Sequence, residues 1–306
     1  MERHVELLIL GAGCAGLTAG IYAARAGKQV LILEHSLPGG QAALTAKIDN
    51  YPGLPETDGV SLMQRMEQQA KTSGAEILCT GVLCVDPASK TVETEQGSFT
   101  ADALILATGA VPKKLGIPGE KKFWGRGVSC CAACDGFFYR GRDIYVVGGG
   151  NSAAEEGLHL AGIGKKVYLL VRKNTLRCDE AFREHLLREP KIEIMYHREL
   201  AEIQGGTAIE ALVLRNTETG ELTRVPALGC GVFLFIGYRP ATQLFTGKLD
   251  MDENGYLLTD QQLQTSISGV FAAGDVRKKE LRQIVTAVSD GAIAAVQACS
   301  FLSDVL

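Results

Sequence analysis

The tightest constraint on this chain is a glycine spacing that occurs twice. Gly11, Gly13 and Gly16 follow an apolar run at 5–10, and Gly148, Gly150 and Ala153 follow one at 143–147, an offset of 137 residues. In each place a small-residue run reads as a helix (15–26 and 151–161), and a second apolar run follows (29–33 and 166–170). Strand, glycine turn, helix and strand make the βαβ unit that binds dinucleotides. The glycines permit a tight turn and close approach of a pyrophosphate. The helix start turns N–H donors and positive potential toward its charge. A chain of 306 residues has room for about two domains. The expected class is α/β, with two Rossmann-like nucleotide-binding domains of the three-layer ββα/βαβ type.

The two copies part company where the second strand ends. Glu34 lies 21 residues after Gly13, where a carboxylate accepts hydrogen bonds from ribose hydroxyls. The same offset of 137 carries Glu34 onto Val171, and Arg172, Lys173 and Arg177 follow. Losing the acid and gaining cations is what a ribose 2′-phosphate requires. The first site is therefore expected to take an unphosphorylated adenosine ribose, FAD or NAD, and the second NADPH. The bland alternatives are a glycine turn that binds nothing and a solvated basic loop.

The rest of the chain fills in around these units. Turn-forming residues cluster at 39–41 and 48–53, and a helix is expected at 60–72. Strands are expected at 77–85, 91–99 and 103–107. Proline and glycine at 111–119 mark a boundary, and Tyr238-Arg239-Pro240 breaks the chain again. Between them lie a strand at 192–196, a hairpin of 211–214 with 221–225, and a buried strand at 232–237. The tail offers a strand that ends at Gly274-Asp275 and a long apolar helix from 284 to 301. Asp275, at a strand end, is placed to bond a ligand hydroxyl. The helix start near Gln283 would set positive potential beside an electron-rich ring edge. Two segments thus frame one inserted between them.

Just before the second glycine turn stands Cys131-Ala132-Ala133-Cys134-Asp135-Gly136. A zinc site would need a second Cys or His pair at suitable spacing, and the chain has none. Cys14, Cys79, Cys84, Cys178, Cys230 and Cys299 are expected to be buried as small hydrophobes. Nine scattered cysteines and no export signature fit a reducing cytoplasmic setting. Net charge is −4 with no basic tract, so no nucleic-acid or anionic-membrane surface is expected. The apolar runs 103–107 and 232–236 fall well short of the roughly 20 residues a membrane helix needs.

Taken together, the chain resembles the bacterial-type, low-molecular-weight thioredoxin reductases over essentially its whole length. The cysteine motif before Gly148-Gly149-Gly150-Asn151-Ser152-Ala153, and the closing Gly274-Asp275 with Arg282-Gln283, carry the resemblance. It implies an FAD domain at 1–111 and 244–306, with an inserted NADPH domain at 112–243 that also holds the cysteines. It implies FAD contacts at Gly11, Gly13, Gly16, Glu34, Gln41, Asn50, Thr108, Gly274, Asp275, Arg282 and Gln283. It implies NADPH contacts at Gly148, Gly150, Asn151, Ser152, Ala153, Arg172, Lys173 and Arg177. Electrons would pass from NADPH through FAD to a Cys131–Cys134 disulfide, and then to thioredoxin or a thioredoxin-like protein. Cys134 would face the flavin, Cys131 would attack the partner, and Asp135 would manage the protons. The family's cytoplasmic homodimer and its domain rotation about the crossings near 112–118 and 237–243 are implied as well.

The sequence departs from the family in two places. Val171-Arg172-Lys173 stands where His-Arg-Arg is usual, and lysine lacks arginine's forked contact. Cys130 replaces a small non-thiol residue and raises a vicinal pairing with Cys131. Three other uses of the same parts are a ferredoxin-driven flavin thioredoxin reductase, a flavin dithiol oxidase, and a flavin-bound redox sensor without turnover.

Overall fold

The structure is a computed structural model that describes residues 2–45, 48, 50–54 and 56–304. Packing divides the chain into two compact units, Met1–Val111 with Arg239–Leu306, and Pro112–Tyr238.

The first unit opens with β1 (Glu2–Leu10), α1 (Cys14–Arg25) and β2 (Val30–Glu34), followed by a short 3-10 turn at Gly40–Leu44. Then come α2 (Gly59–Ser73), β3 (Glu76–Cys79), β4 (Val82–Asp86), β5 (Thr91–Thr94) and β6 (Gly97–Leu106). Strands β1, β2, β3 and β6 are parallel in the order β3-β2-β1-β6, and β5 and β4 continue the sheet antiparallel. Both faces of the parallel part are buried, as its unbroken apolar runs require. Leu7, Ile9, Ile32 and Ile105 pack on one side, and Leu8, Leu10, Leu33 and Leu106 on the other.

Chain crossings frame the second unit. The outward crossing is β7 (Ala110–Pro112), after which come α3 (Glu120–Phe123), β8 (Val128–Ser129) and α4 (Ala132–Asp135). Glu120 is buried, and its carboxylate accepts the backbone N–H of Leu115 and of Gly116 at 3.0 and 2.6 Å. It pins the chain immediately after the crossing. Next are β9 (Asp143–Val147), α5 (Asn151–Ala161), β10 (Lys166–Val171), α6 (Glu180–Arg188) and β11 (Ile192–Tyr196). An antiparallel set follows, β12 (Arg198–Gln204), β13 (Ala211–Asn216) and β14 (Leu222–Pro226), and then β15 (Gly231–Leu234). The main sheet is parallel with the order β11-β10-β9-β15-β8, and β12-β13-β14 forms a separate sheet. Again both faces are filled, with Ile144, Val146 and Leu169 on one side and Tyr145, Val147 and Leu170 on the other.

The return crossing, β16 (Tyr238–Pro240), pairs with β7. It leads to β17 (Val270–Ala272), which joins β6 in parallel, and to α7 (Ile284–Asp304). The unit boundary falls at Arg239, within the break read at Tyr238-Arg239-Pro240 and five residues before the 244 that the resemblance implies. Residues just past the crossing already belong to the first unit. The Ala241 N–H donates to Gly109 O at 2.9 Å, and Thr108 Oγ1 donates to Ala241 O at 2.8 Å.

Three expectations are corrected. Residues 77–85 are two strands, because the chain leaves the edge of the parallel sheet at Thr80-Gly81. The expected strand 91–99 is cut at Thr94–Gly97, where Gly97 adopts a positive φ of 138° and closes a hairpin, and its second half runs on with the expected strand 103–107 as β6. Cys79 and Cys84 are exposed, since they sit on the outermost strands β3 and β4. Helix α7 is long and apolar enough to cross a membrane by length and composition. Its Ala294, Ala295, Ala298 and Leu302 are nevertheless buried in the core beside α1.

Candidate functional site

In the first unit the glycine turn is enforced by backbone. Gly11 has φ +106°, and a Cβ there would lie 2.4 Å from Ala107 O. A Cβ on Gly16 would lie 1.7 Å from Gly11 O, so α1 can rest on the turn only with glycine at that point. Gly13, the N-cap of α1, faces open space, and no side chain caps the helix. The first-turn N–H groups are thus left for a ligand, and anions favour that position. Glu34 reaches back from the end of β2, where its Oε2 accepts the Ala12 N–H at 2.7 Å and its Oε1 the Ser36 N–H at 3.2 Å. Those bonds fix the carboxylate over the turn and leave lone pairs for ribose hydroxyls.

Other expected contacts gather in the same unit. Gln41 lies exposed on the turn at Gly40–Leu44. Asn50 Nδ2 donates to Gln283 Oε1 at 3.3 Å, which joins two residues 233 positions apart. Thr108 spends its proton on Ala241 O. Gly274 has φ +79° and donates its N–H to Asp290 Oδ2 at 3.0 Å. Asp275 Oδ1 and Arg282 Nε are buried without a hydrogen-bond partner among the described residues. The Arg282 guanidinium stacks 4.0 Å from the centre of the Tyr256 ring. Unsatisfied buried polar atoms are uncommon and call for an explanation. A polar ligand beside an open, uncapped helix start supplies it, and FAD fits these residues.

Construction of the second unit is parallel. Gly148 has φ +151°, and a Cβ there would meet Phe235 O at 2.4 Å. Gly150 faces open space as the N-cap of α5, with no side-chain cap, while Ser152 is exposed and Ala153 buried. Asn151 is engaged on both arms of its amide. Its Nδ2 donates to Asp179 Oδ2 at 2.9 Å, and its Oδ1 accepts the Asp179 N–H at 2.8 Å. Sequence spacing did not mark Asp179, the N-cap of α6, as part of this site. Arg172, Lys173 and Arg177 are exposed, and among the described residues none forms an ion pair. Their loop is tied down by its backbone, since Thr217 Oγ1 donates to Arg172 O at 2.8 Å and the Arg177 N–H to Gly149 O at 2.6 Å.

Glu156, one turn into α5, is half-buried. Burial, with Glu155 beside it, pushes its carboxyl from 4.5 up to about 7. An unfolded glutamate ionises near 4.5, so the folded state bears an ionisation cost as pH climbs from there to about 7. Its contribution to stability is complete below that window and lost above it. Glu156→Gln is therefore expected to raise the unfolding free energy by about 2 kcal/mol at pH 8 and leave it unchanged at pH 4. Thermal melts at the two pH values check this.

Cys131 and Cys134 form a disulfide across the start of α4. Cys131 is buried and Cys134 exposed, and the Cys134 N–H donates to Cys131 Sγ at 3.1 Å. Ser129 Oγ accepts the Cys131 N–H at 3.0 Å and so braces the motif from the end of β8. Asp135 is half-buried at the end of α4, and Phe137 and Phe138 just beyond it are exposed. Cys130 is a free thiol that burial pushes up, with Asp135 adding to the rise. A disulfide therefore shares one unit with a glycine-capped nucleotide helix, and the other unit holds a second such helix.

Comparison with known proteins agrees with this geometry. The family model described as pyridine nucleotide-disulphide oxidoreductase matches residues 5–291. A thioredoxin reductase from Peptoclostridium litorale is 43% identical over 99% of both chains. The solved thioredoxin reductase of Lactococcus lactis superposes with a TM-score of 0.91 at 39% identity, covering 98% of this chain and 99% of that one. A ferredoxin-flavin thioredoxin reductase from Clostridium acetobutylicum gives a TM-score of 0.55 at 27% identity, covering 99% and 100%. The doubled glycine turn and the disulfide are thus those of a known lineage of flavin-dependent oxidoreductases, and the chain belongs to the pyridine nucleotide-disulphide oxidoreductase family.

Proposed function

We propose that this protein is an NADPH-dependent thioredoxin-disulfide reductase that uses FAD, works as a cytoplasmic homodimer and reduces thioredoxin or a thioredoxin-like protein. The FAD domain is the unit of residues 1–111 and 239–306, and the NADPH domain is the unit of residues 112–238. The observation that carries the reading is the Cys131–Cys134 disulfide in a chain with two uncapped, glycine-led helix starts. Bound FAD supplies the exchange between hydride chemistry and the electron pair that sulfur accepts. The Gly13 turn receives the pyrophosphate, Glu34 the ribose, and Asp275 with Arg282 the remaining polar groups. At the second turn, Gly150 and Ser152 receive the coenzyme phosphates, while Arg172, Lys173 and Arg177 hold the 2′-phosphate. Cys134 would face the flavin, the Cys131–Cys134 bond would break as the disulfide takes the electron pair, Cys131 would attack the partner's disulfide, and Asp135 would take and return the proton.

Support for NADPH comes from three cations, without ion-pair partners among the described residues, where the first unit carries an acid. Arg172→Ala and Arg177→Ala are each expected to raise KM for NADPH by about 10-fold or more, with KM for NADH unchanged. Steady-state kinetics with both coenzymes measures this split. The similarity to a ferredoxin-linked enzyme sets the decisive control. Anaerobic NADPH should bleach the flavin far faster than NADH. Bleaching by reduced ferredoxin alone would sink the reading.

A further inference from the structure

Four charged side chains are packed together where β17 gives way to the loop before α7. Asp290, on α7, is only 7% exposed. Its Oδ2 accepts three donors, Gly274 N–H at 3.0 Å, Arg277 Nε at 3.1 Å and Lys279 Nζ at 3.1 Å. The Lys279 side chain is only 9% exposed. Burying an ammonium is costly unless partners repay the lost hydration. Thr286 Oγ1 accepts a further hydrogen bond from Lys279 Nζ at 3.3 Å but carries no charge, and Arg277 already balances the Asp290 carboxylate. The leftover positive charge faces Asp275, whose Oδ1 lies 3.5 Å from Lys279 Nζ, without hydrogen-bond geometry and buried with no other partner among the described residues. Lys279 is therefore close enough to hold Asp275 as a carboxylate without occupying the oxygen that would meet a ligand.

We propose that Lys279, anchored by Asp290, is a positioning residue that keeps Asp275 ionised and aimed as a hydrogen-bond acceptor for a hydroxyl of bound FAD. The proposal rests on FAD occupying the first unit. Burial pushes the Asp275 carboxyl up, and Lys279 is the strongest influence against that rise. Arg282 also opposes it, Asp290 adds to it, and the Cys14 thiol faces the carboxylate from α1. Without the Lys279 charge, Asp275 takes up its proton at higher pH, and acceptor strength is lost as pH falls.

The test is fluorescence titration of the full-length apoprotein with FAD between pH 5 and pH 8. Lys279→Gln removes the charge and leaves an uncharged amide donor beside Asp290. It is expected to bind FAD about 10-fold more weakly, with a deficit that deepens toward acid pH. Lys279→Arg should restore both affinity and pH profile. In an Asp275→Asn background, Lys279→Gln should have no further effect. Wild-type affinity and profile in Lys279→Gln would overturn the proposal, as would an arginine variant no better than the glutamine. A Lys279→Gln apoprotein that does not fold would overturn it too, since the lysine would then serve the fold. Wild-type apoprotein that fails to bind FAD would instead refute the FAD site itself.

Discussion

Serine at either Cys131 or Cys134 should lower turnover with oxidised thioredoxin by about 10³-fold or more, while NADPH still reduces the flavin. The loss is large because exchange needs two sulfurs, one to attack and one to release the mixed disulfide. An alcohol does neither at neutral pH. The two variants should nevertheless differ. The Cys134 N–H donates to Cys131 Sγ, so negative charge left on Cys131 after the bond opens is stabilised where it forms. Cys134→Ser leaves Cys131 free to attack. It should trap a stable mixed disulfide with a thioredoxin that lacks its resolving cysteine. Cys131→Ser should trap little. Non-reducing gels and intact-mass measurement distinguish the two, and trapping by Cys131→Ser alone would reverse the assigned roles.

The second large effect is expected at Gly16. An added Cβ would overlap Gly11 O at 1.7 Å and press on Ala107 Cβ at 3.4 Å. Gly11 cannot give way, because its N–H is bonded to Leu33 O at 2.8 Å. Helix α1 is held from its other side by α7, where a Cβ on Gly291 would lie 2.2 Å from Ala15 O. The clash is therefore relieved only by lifting α1 from the sheet. Gly16→Ala should cost about 3 kcal/mol or more of stability and yield protein without flavin. Gly13→Ala is the internal contrast. Its Cβ meets nothing within 4 Å, so the fold should survive, while FAD binding weakens because the methyl occupies the pyrophosphate approach. Denaturant unfolding and flavin content, measured on both variants, separate a packing glycine from a binding one.

Much of this architecture was legible in the chain because its parallel strands are buried on both faces. Such strands read as short apolar runs, and glycines mark where they turn into helices. The runs around Leu10 and Val147 identify themselves in that way. Strand ends away from the parallel core were less legible. Thr80-Gly81 and Gln96-Gly97 look like interruptions that a strand could absorb, and only the pairing of β3 with β2 and of β5 with β6 makes them breaks. Helix α6 escaped notice because it is short and mostly solvated, with Leu186 its one buried side chain. In the site, cations at 172, 173 and 177 stood out because a copy of the same motif shows an acid at the matching place. Lys279 and Asp290 had no such internal reference. They lie 11 residues apart on a loop and a helix, and only folding brings them to one point.

The Glu120 carboxylate, which grips Leu115 and Gly116 just after the outward crossing, also sets how much loose chain the enzyme has. Between the end of β7 at Pro112 and that grip lie only Lys113 and Lys114, and the Lys113 N–H is itself bonded to Gly237 O at 2.9 Å. The tether is almost wholly committed. A short tether gives the joined parts a high effective concentration of one another and makes their meeting independent of how dilute the protein is. Electron passage between the two units would then be an internal, first-order event, while the arrival of NADPH and of the partner still responds to concentration.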